Sequence, residues 1–116
     1  MLDTRFTIHA EHPAYARKIM RSTLSGTDDD VVEDAALLTS ELVADAMIRP
    51  DADPQLFIDA RNGHIYVEVR DSGFASRHVD RVRLREWVLL MMNALASSWG
   101  IESRSDGRVV WFDLSF

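Results

Sequence analysis

The chain has 116 residues, 47% of them hydrophobic and 28% charged, with a formal net charge of −6 and no cysteine. That length suits one compact domain, residues 1–116, which can bury a core without disulfides or a structural metal. The missing cysteine rules out a disulfide framework, a thiolate metal site and a Cys nucleophile, and the acidity argues against a general nucleic-acid-binding face.

Met1 to Arg5 carries no apolar signal core. The longest apolar run, Trp87 to Met92, falls short of the roughly 18 residues a membrane-spanning helix needs. A cytoplasmic protein without a membrane segment is expected.

Residues 4–10 alternate polar and apolar, which predicts a first strand. Pro13 suits a first helical turn, and Ala16, Ile19, Met20 and Leu24 recur at helical spacing up to Gly26, a natural stop. Thr27 is placed to cap a second helix, with Asp28, Asp29 and Asp30 facing its positive end. Val31, Ala35, Leu38, Leu42 and Ala46 form its apolar stripe, and Pro50 ends it. Residues 55–60 and 64–70 read as strands joined through Asn62-Gly63, a strong hairpin signal. After an arginine-rich stretch, a helix is expected from about Val82 to Ser98, stopped by Gly100, and residues 101–104 and 108–114 pair around Asp106-Gly107. Strands in hairpins with helices grouped between them predict an α+β fold: a two-layer α/β sandwich, its mixed and mainly antiparallel sheet of about five strands carrying three helices on one face.

Charge is unevenly placed. Residues 27–46 hold Asp28, Asp29, Asp30, Glu33, Asp34, Glu41 and Asp45 without a base, whereas residues 77–85 hold Arg77, Arg81, Arg83 and Arg85 against Asp80 alone. This asymmetry suggests a charged partner surface, although most charge runs are solvated faces.

Three stretches carry a resemblance. Leu38-Thr39-Ser40-Glu41-Leu42-Val43-Ala44-Asp45-Ala46 resembles the N box of the histidine-kinase-like (GHKL) ATPases in its anti-sigma-factor version. Val67-Glu68-Val69-Arg70-Asp71-Ser72-Gly73 is similar to their adenine-binding strand end, and Trp99-Gly100 with Gly107-Arg108-Val109-Val110-Trp111 looks like their closing hairpin. In register, the three span nearly the whole chain and resemble the anti-sigma-factor switch kinases, which implies a Bergerat-type ATPase fold.

The resemblance implies ATP and Mg²⁺ as cofactors and gives each residue a role. Glu41 matches the general base, and Asp45 stands where an asparagine normally holds Mg²⁺. A carboxylate suits that ion, but beside Glu41 it adds a second negative charge near the triphosphate. Asp71 matches the acceptor of the adenine amino group, and Gly73 the close approach of backbone to the base. The glycine-rich phosphate lid has no counterpart, because Glu86-Trp87-Val88 stands there; Arg77, Arg81 and Arg85 at helical spacing could in principle grip phosphate oxygens instead. Two functions follow from the resemblance. One is a regulatory module that binds a sigma factor or an anti-anti-sigma factor and forms a homodimer through residues 4–26. The other is an active serine/threonine kinase that phosphorylates an anti-anti-sigma partner.

Plainer readings stand beside these. Asp30, Asp34, Glu41 and Asp45 make an ordinary solvated helix face, and Asp71-Ser72-Gly73 a common turn. Met91 and Met92 read as core fillers, the scattered His9, His12, His64 and His78 as neither ligands nor bases, and Trp99 and Trp111 as buried aromatics flanking the last hairpin. Trp87 reads equally as core or as a partner anchor.

Overall fold

The structure, a computed structural model, describes residues 2–48, 52–72, 84–105 and 107–116. In chain order the elements are β1 (Asp3–His9), α1 (Pro13–Thr23), α2 (Asp29–Ala46), β2 (Pro54–Arg61), β3 (His64–Asp71), α3 (Glu86–Leu95), β4 (Ser98–Arg104) and β5 (Gly107–Ser115). The five strands form one sheet in the order β1-β2-β3-β5-β4. Every neighbouring pair is antiparallel, so the expected mixed sheet is instead uniformly antiparallel among the described residues.

The sheet's two faces follow from the alternation of side chains along each strand. Leu56, Ile58 and Ala60 on β2, Ile65, Val67 and Val69 on β3, and Val110, Phe112 and Leu114 on β5 share the buried face. Against it lie Met20 of α1 and Leu24 just past its end, Leu38, Leu42 and Val43 of α2, and Val88 and Met92 of α3, in one contiguous core. α2 is central, with ten buried positions including Thr39 and Ser40, whose hydroxyls donate to the carbonyls of Ala35 and Leu37. Such back-bonding lets polar groups enter a core without orphaned donors.

Local boundaries differ from the sequence expectation where capping chemistry or strand pairing wins. Asp28, not Thr27, caps α2, accepting a hydrogen bond from the Asp30 amide at 2.9 Å. α2 ends at Ala46, before Pro50, which lies outside the described residues. α3 closes at Leu95, and Ser98, Trp99 and Gly100 belong to β4 rather than to a helix end. There the Ser97 amide already donates to the Asp113 carbonyl at 2.8 Å, and Trp99 pairs with Phe112. A ladder along β5 satisfies those backbone groups better than one more frayed helical turn. The Asn62-Gly63 turn forms as expected, with Gly63 at φ 81°.

Among the described residues the sheet's other face carries no helix and is covered by its own side chains. Tyr66 stacks on Trp111 with ring centroids 5.9 Å apart and meets Phe57 edge-on at 6.2 Å. The guanidinium of Arg70 lies 4.7 Å from the Phe57 centroid and that of Arg5 lies 5.6 Å from it. Glu68 sits among them, receiving the Tyr66 hydroxyl proton at 2.5 Å and the Arg70 Nε–H at 2.7 Å. Trp111 is half-buried because Gly100 lies opposite it; a Cβ there would sit 2.6 Å from the indole nitrogen. Aromatic cover of a strand glycine of this kind stabilises an open sheet face.

Burial alone would raise the Glu68 pKa, but the hydrogen bonds from Tyr66 and Arg70 outweigh it and hold it below the usual carboxylate value. A depressed folded pKa contributes stability that is present above the unfolded value, about 4.3, and is lost as pH falls through the folded value. Glu68→Gln should therefore flatten the acid-side fall in urea-unfolding free energy between about pH 5 and about pH 3. An unchanged slope would show that Glu68 does not drive it.

Candidate functional site

The carboxyl end of β3, the start of β5, the last turns of α2 and the entry to α3 converge at one end of the inner face. Asp71 and Arg108 are cross-strand partners in register with the core pairs Val69–Val110 and Val67–Phe112, so both belong to the buried face. Their whole-residue exposures are 1% and 3%. Glu41 and Asp45 project from one side of α2, as the spacing of four requires. Asp45 is buried there and Glu41 is half-exposed.

Asp45 is the hub. One carboxylate oxygen accepts from Nη2 of Arg108 at 3.2 Å. The other accepts from both the backbone amide and Nε of Arg85, each at 3.2 Å. The Asp45 and Arg108 side chains are only 4% and 3% exposed, so this is a buried ion pair. Arg85 is 46% exposed and also reaches Glu41 at 3.8 Å. The like-charge problem posed by two acids on one helix face is met by two guanidinium groups, one shared between the carboxylates. Through Asp45 the pair ties α2 to β5 and to the residue that opens α3 (Arg85 supplies no side-chain cap of its own).

Of the residues the sequence singled out, the structure brings together Glu41, Asp45, Arg85 and, on the same face, Asp71. Gly73, Arg77 and Arg81 lie outside the described residues. Arg85 is engaged by carboxylates rather than set apart for phosphate. Arg108, the residue that organises the site, was not singled out by the motifs. A period-2 reading of Arg108, Val110, Phe112 and Leu114 places a cation on the core face, which is the signal that a buried anion must answer it.

These donors do not fit Mg²⁺. The ion needs free carboxylate or carbonyl oxygens in near-octahedral geometry. Here both Asp45 oxygens already hold guanidinium groups, whose positive charge would repel a dication. Among the described residues no set of three His, Asp or Glu side chains is placed to hold a metal. Three of the histidines have plain structural roles. His12 accepts the Tyr15 amide at the start of α1, and His9 and His64 pair with Asp53 and Asp113.

A polar hollow of ≈ 380 Å³ opens at this end of the sheet, lined in part by Gln55, Arg70, Asp71, Ser72, Arg104 and Arg108. Gly107 closes one wall with φ 143°; a Cβ there would come within 2.8 Å of the Ser72 Cα, so β5 can pass the end of β3 only as glycine. Met91 and Met92 are buried, as expected of core fillers, whereas Trp99 and Trp111 are half-buried and Trp87 is 59% exposed. No described helix is long and apolar enough to cross a membrane. Compared with known proteins, the chain matches no family model and no curated sequence.

Removing one partner of a buried ion pair strands the other charge and costs about 3–5 kcal/mol. Asp45→Ala and Arg108→Ala should each destabilise the chain by that amount in urea unfolding. The double variant should lose far less than the sum, a coupling of at least about 1.5 kcal/mol. Strict additivity would mean that the two side chains do not depend on each other.

Proposed function

We propose that the chain is a regulatory protein-binding module of the anti-sigma-factor type, in which an internal ion pair stands where a nucleotide-bound metal would be expected. The supporting observation is the Arg108 guanidinium on Asp45, 3.2 Å away and buried. A Mg²⁺ ion on Asp45 would have to displace that guanidinium, and its phosphates would bring negative charge beside Glu41 and Glu86. The motif stretches most relevant to a protein regulator, by contrast, lie on ordered elements: the Ser40-Glu41-Leu42-Val43 segment on α2 and the closing hairpin β4–β5.

On this reading the partner is a sigma factor or an anti-anti-sigma factor, met in the cytoplasm, with no direct contact to nucleic acid. Homodimerisation through residues 4–26 is consistent with β1 as an edge strand of the sheet and α1 as its neighbour in sequence. An edge strand leaves one row of backbone donors and acceptors for a second chain to pair with.

Titration calorimetry with Mg-ATP is the decisive measurement, and no saturable heat up to about 1 mM, a weak-binding limit of roughly 4 kcal/mol, is expected. Micromolar binding with phosphotransfer that disappears in Glu41→Ala would replace this proposal with the serine/threonine kinase. Co-purification from the native host, followed by mass spectrometry, identifies the partner; recovery of a sigma or anti-anti-sigma factor is the expected result.

A further inference from the structure

The chain's two asparagines, Asn62 and Asn93, stand in opposite surroundings. Asn93 lies in α3, and its Oδ1 accepts the indole N–H of Trp99 at 2.9 Å. The next amide belongs to Ala94, inside the helix, where such groups donate to the carbonyl four residues back. Asn62 is exposed and forms the tight turn between β2 and β3 with Gly63, closed by the Arg61–His64 pair. Among the described residues no group accepts a hydrogen bond from the Gly63 amide.

That amide nitrogen can close a ring on the side-chain carbonyl carbon of Asn62, and glycine has no Cβ to obstruct the approach. Asn62 Oδ1 accepts the Leu2 amide at 2.8 Å. A donor therefore already faces the oxygen on which negative charge develops during attack. Solvent reaches the spot through a hollow of ≈ 280 Å³ lined by Leu2, Ser25, Gly26, Thr27 and Asn62.

We infer that Asn62 is a site of deamidation by water in the folded chain, with the Gly63 nitrogen as nucleophile. The nitrogen gives up its proton and bonds to Asn62 Cγ; the Cγ–Nδ2 bond breaks, and Nδ2 leaves as ammonia with that proton. Water then opens the cyclic imide. Opening at Cγ gives aspartate. Opening at the main-chain carbonyl gives isoaspartate, in which the chain runs on through Cγ and the turn gains a backbone carbon.

Both chain ends are fastened to this turn. Leu2, just ahead of β1, donates to Asn62, and the Phe116 amide donates to the Gly63 carbonyl at 3.0 Å. β1 is an edge strand whose only neighbour in the sheet is β2. A lengthened turn no longer matches the register of a two-residue loop. The isoaspartyl product thus loosens β1 and the C-terminus and leaves the centre of the sheet in place.

The test incubates the whole chain, folded, in mildly alkaline buffer and maps its peptides by mass spectrometry. A parallel sample is unfolded in guanidinium chloride. The Asn62 peptide of the folded chain should convert within several-fold of the unfolded rate, while its Asn93 peptide stays unchanged. Asn62→Gln should abolish the conversion. An Asn62 that persists in the folded chain while the unfolded chain converts would overturn the inference, as would equal conversion of Asn93. The isoaspartyl form, separated by anion exchange, should show hydrogen exchange several-fold faster in β1 and unchanged at Val67 and Phe112. Asn62→Asp, which adds the charge without the extra carbon, should exchange like the parent chain. Parental exchange in the isoaspartyl form would refute the loosening.

Discussion

A buried guanidinium on a buried carboxylate governs the arrangement of this protein's candidate site. Asp45 lies near the close of α2, Arg108 near the start of β5, and Arg85 just ahead of α3, so one ionic cluster fixes three elements that sequence places far apart. A charge on a core face carries a large desolvation penalty, which attraction offsets only when geometry and hydrogen bonding are good. Two oxygens of Asp45 answer two arginines and one backbone amide, and this multiplicity makes burial tolerable. The same arrangement defines what the cleft can accept. A site whose anion is already neutralised by its own chain offers a metal ion neither free ligands nor a favourable field.

The two faces of the sheet solve burial differently. On the inner face aliphatic side chains of three strands meet three helices in a dry core. On the outer face none of the described helices arrives, and aromatic rings alternate with ionic groups to make a thin cover: Phe57, Tyr66 and Trp111 beneath or beside Arg5, Arg70 and Glu68. Each ring hides apolar strand surface while each charge keeps the face wet and paired, which disfavours sheet-to-sheet association. Among the described residues the large exposed apolar side chains are Leu37 on α2, Met47 and Ile48 just past it, Trp87 and Leu90 on α3, and Phe116 after β5.

Much of the architecture was legible in the sequence because short-range rules dominate there. Asn62-Gly63 has almost no alternative to a tight hairpin, and the 3.6-residue recurrence of Ala35, Leu38, Leu42 and Ala46 leaves α2 only one face to bury. The end of α3 was not legible. Leu95, Ala96 and Ser97 are all acceptable in a helix, and only the distant carbonyl of Asp113, available once β5 is in place, draws Ser97 and Trp99 into a strand. The site was legible in part. Motif resemblance located Glu41, Asp45 and Asp71, and the structure places all three at the same end of the inner face. The resemblance gave no warning that Arg108 would sit on Asp45, because a motif assigns roles by position and is silent on a cation in another strand. Strand alternation held that information: Arg108 falls in phase with Val110 and Phe112, so its side chain had to find an anion inside.

Asp45 and Arg108 answer each other. A carboxylate buried on α2, alone, would set a second negative charge beside Glu41. An arginine in phase with the core residues of β5 lies where charge is costly to bury unless an anion meets it. Together the two offset, and Arg85 completes the contacts of Asp45 through its backbone amide and its guanidinium. α2, β5 and the entry to α3 are thus held by the chain's own groups, and loosening any one of these contacts is felt at all three elements.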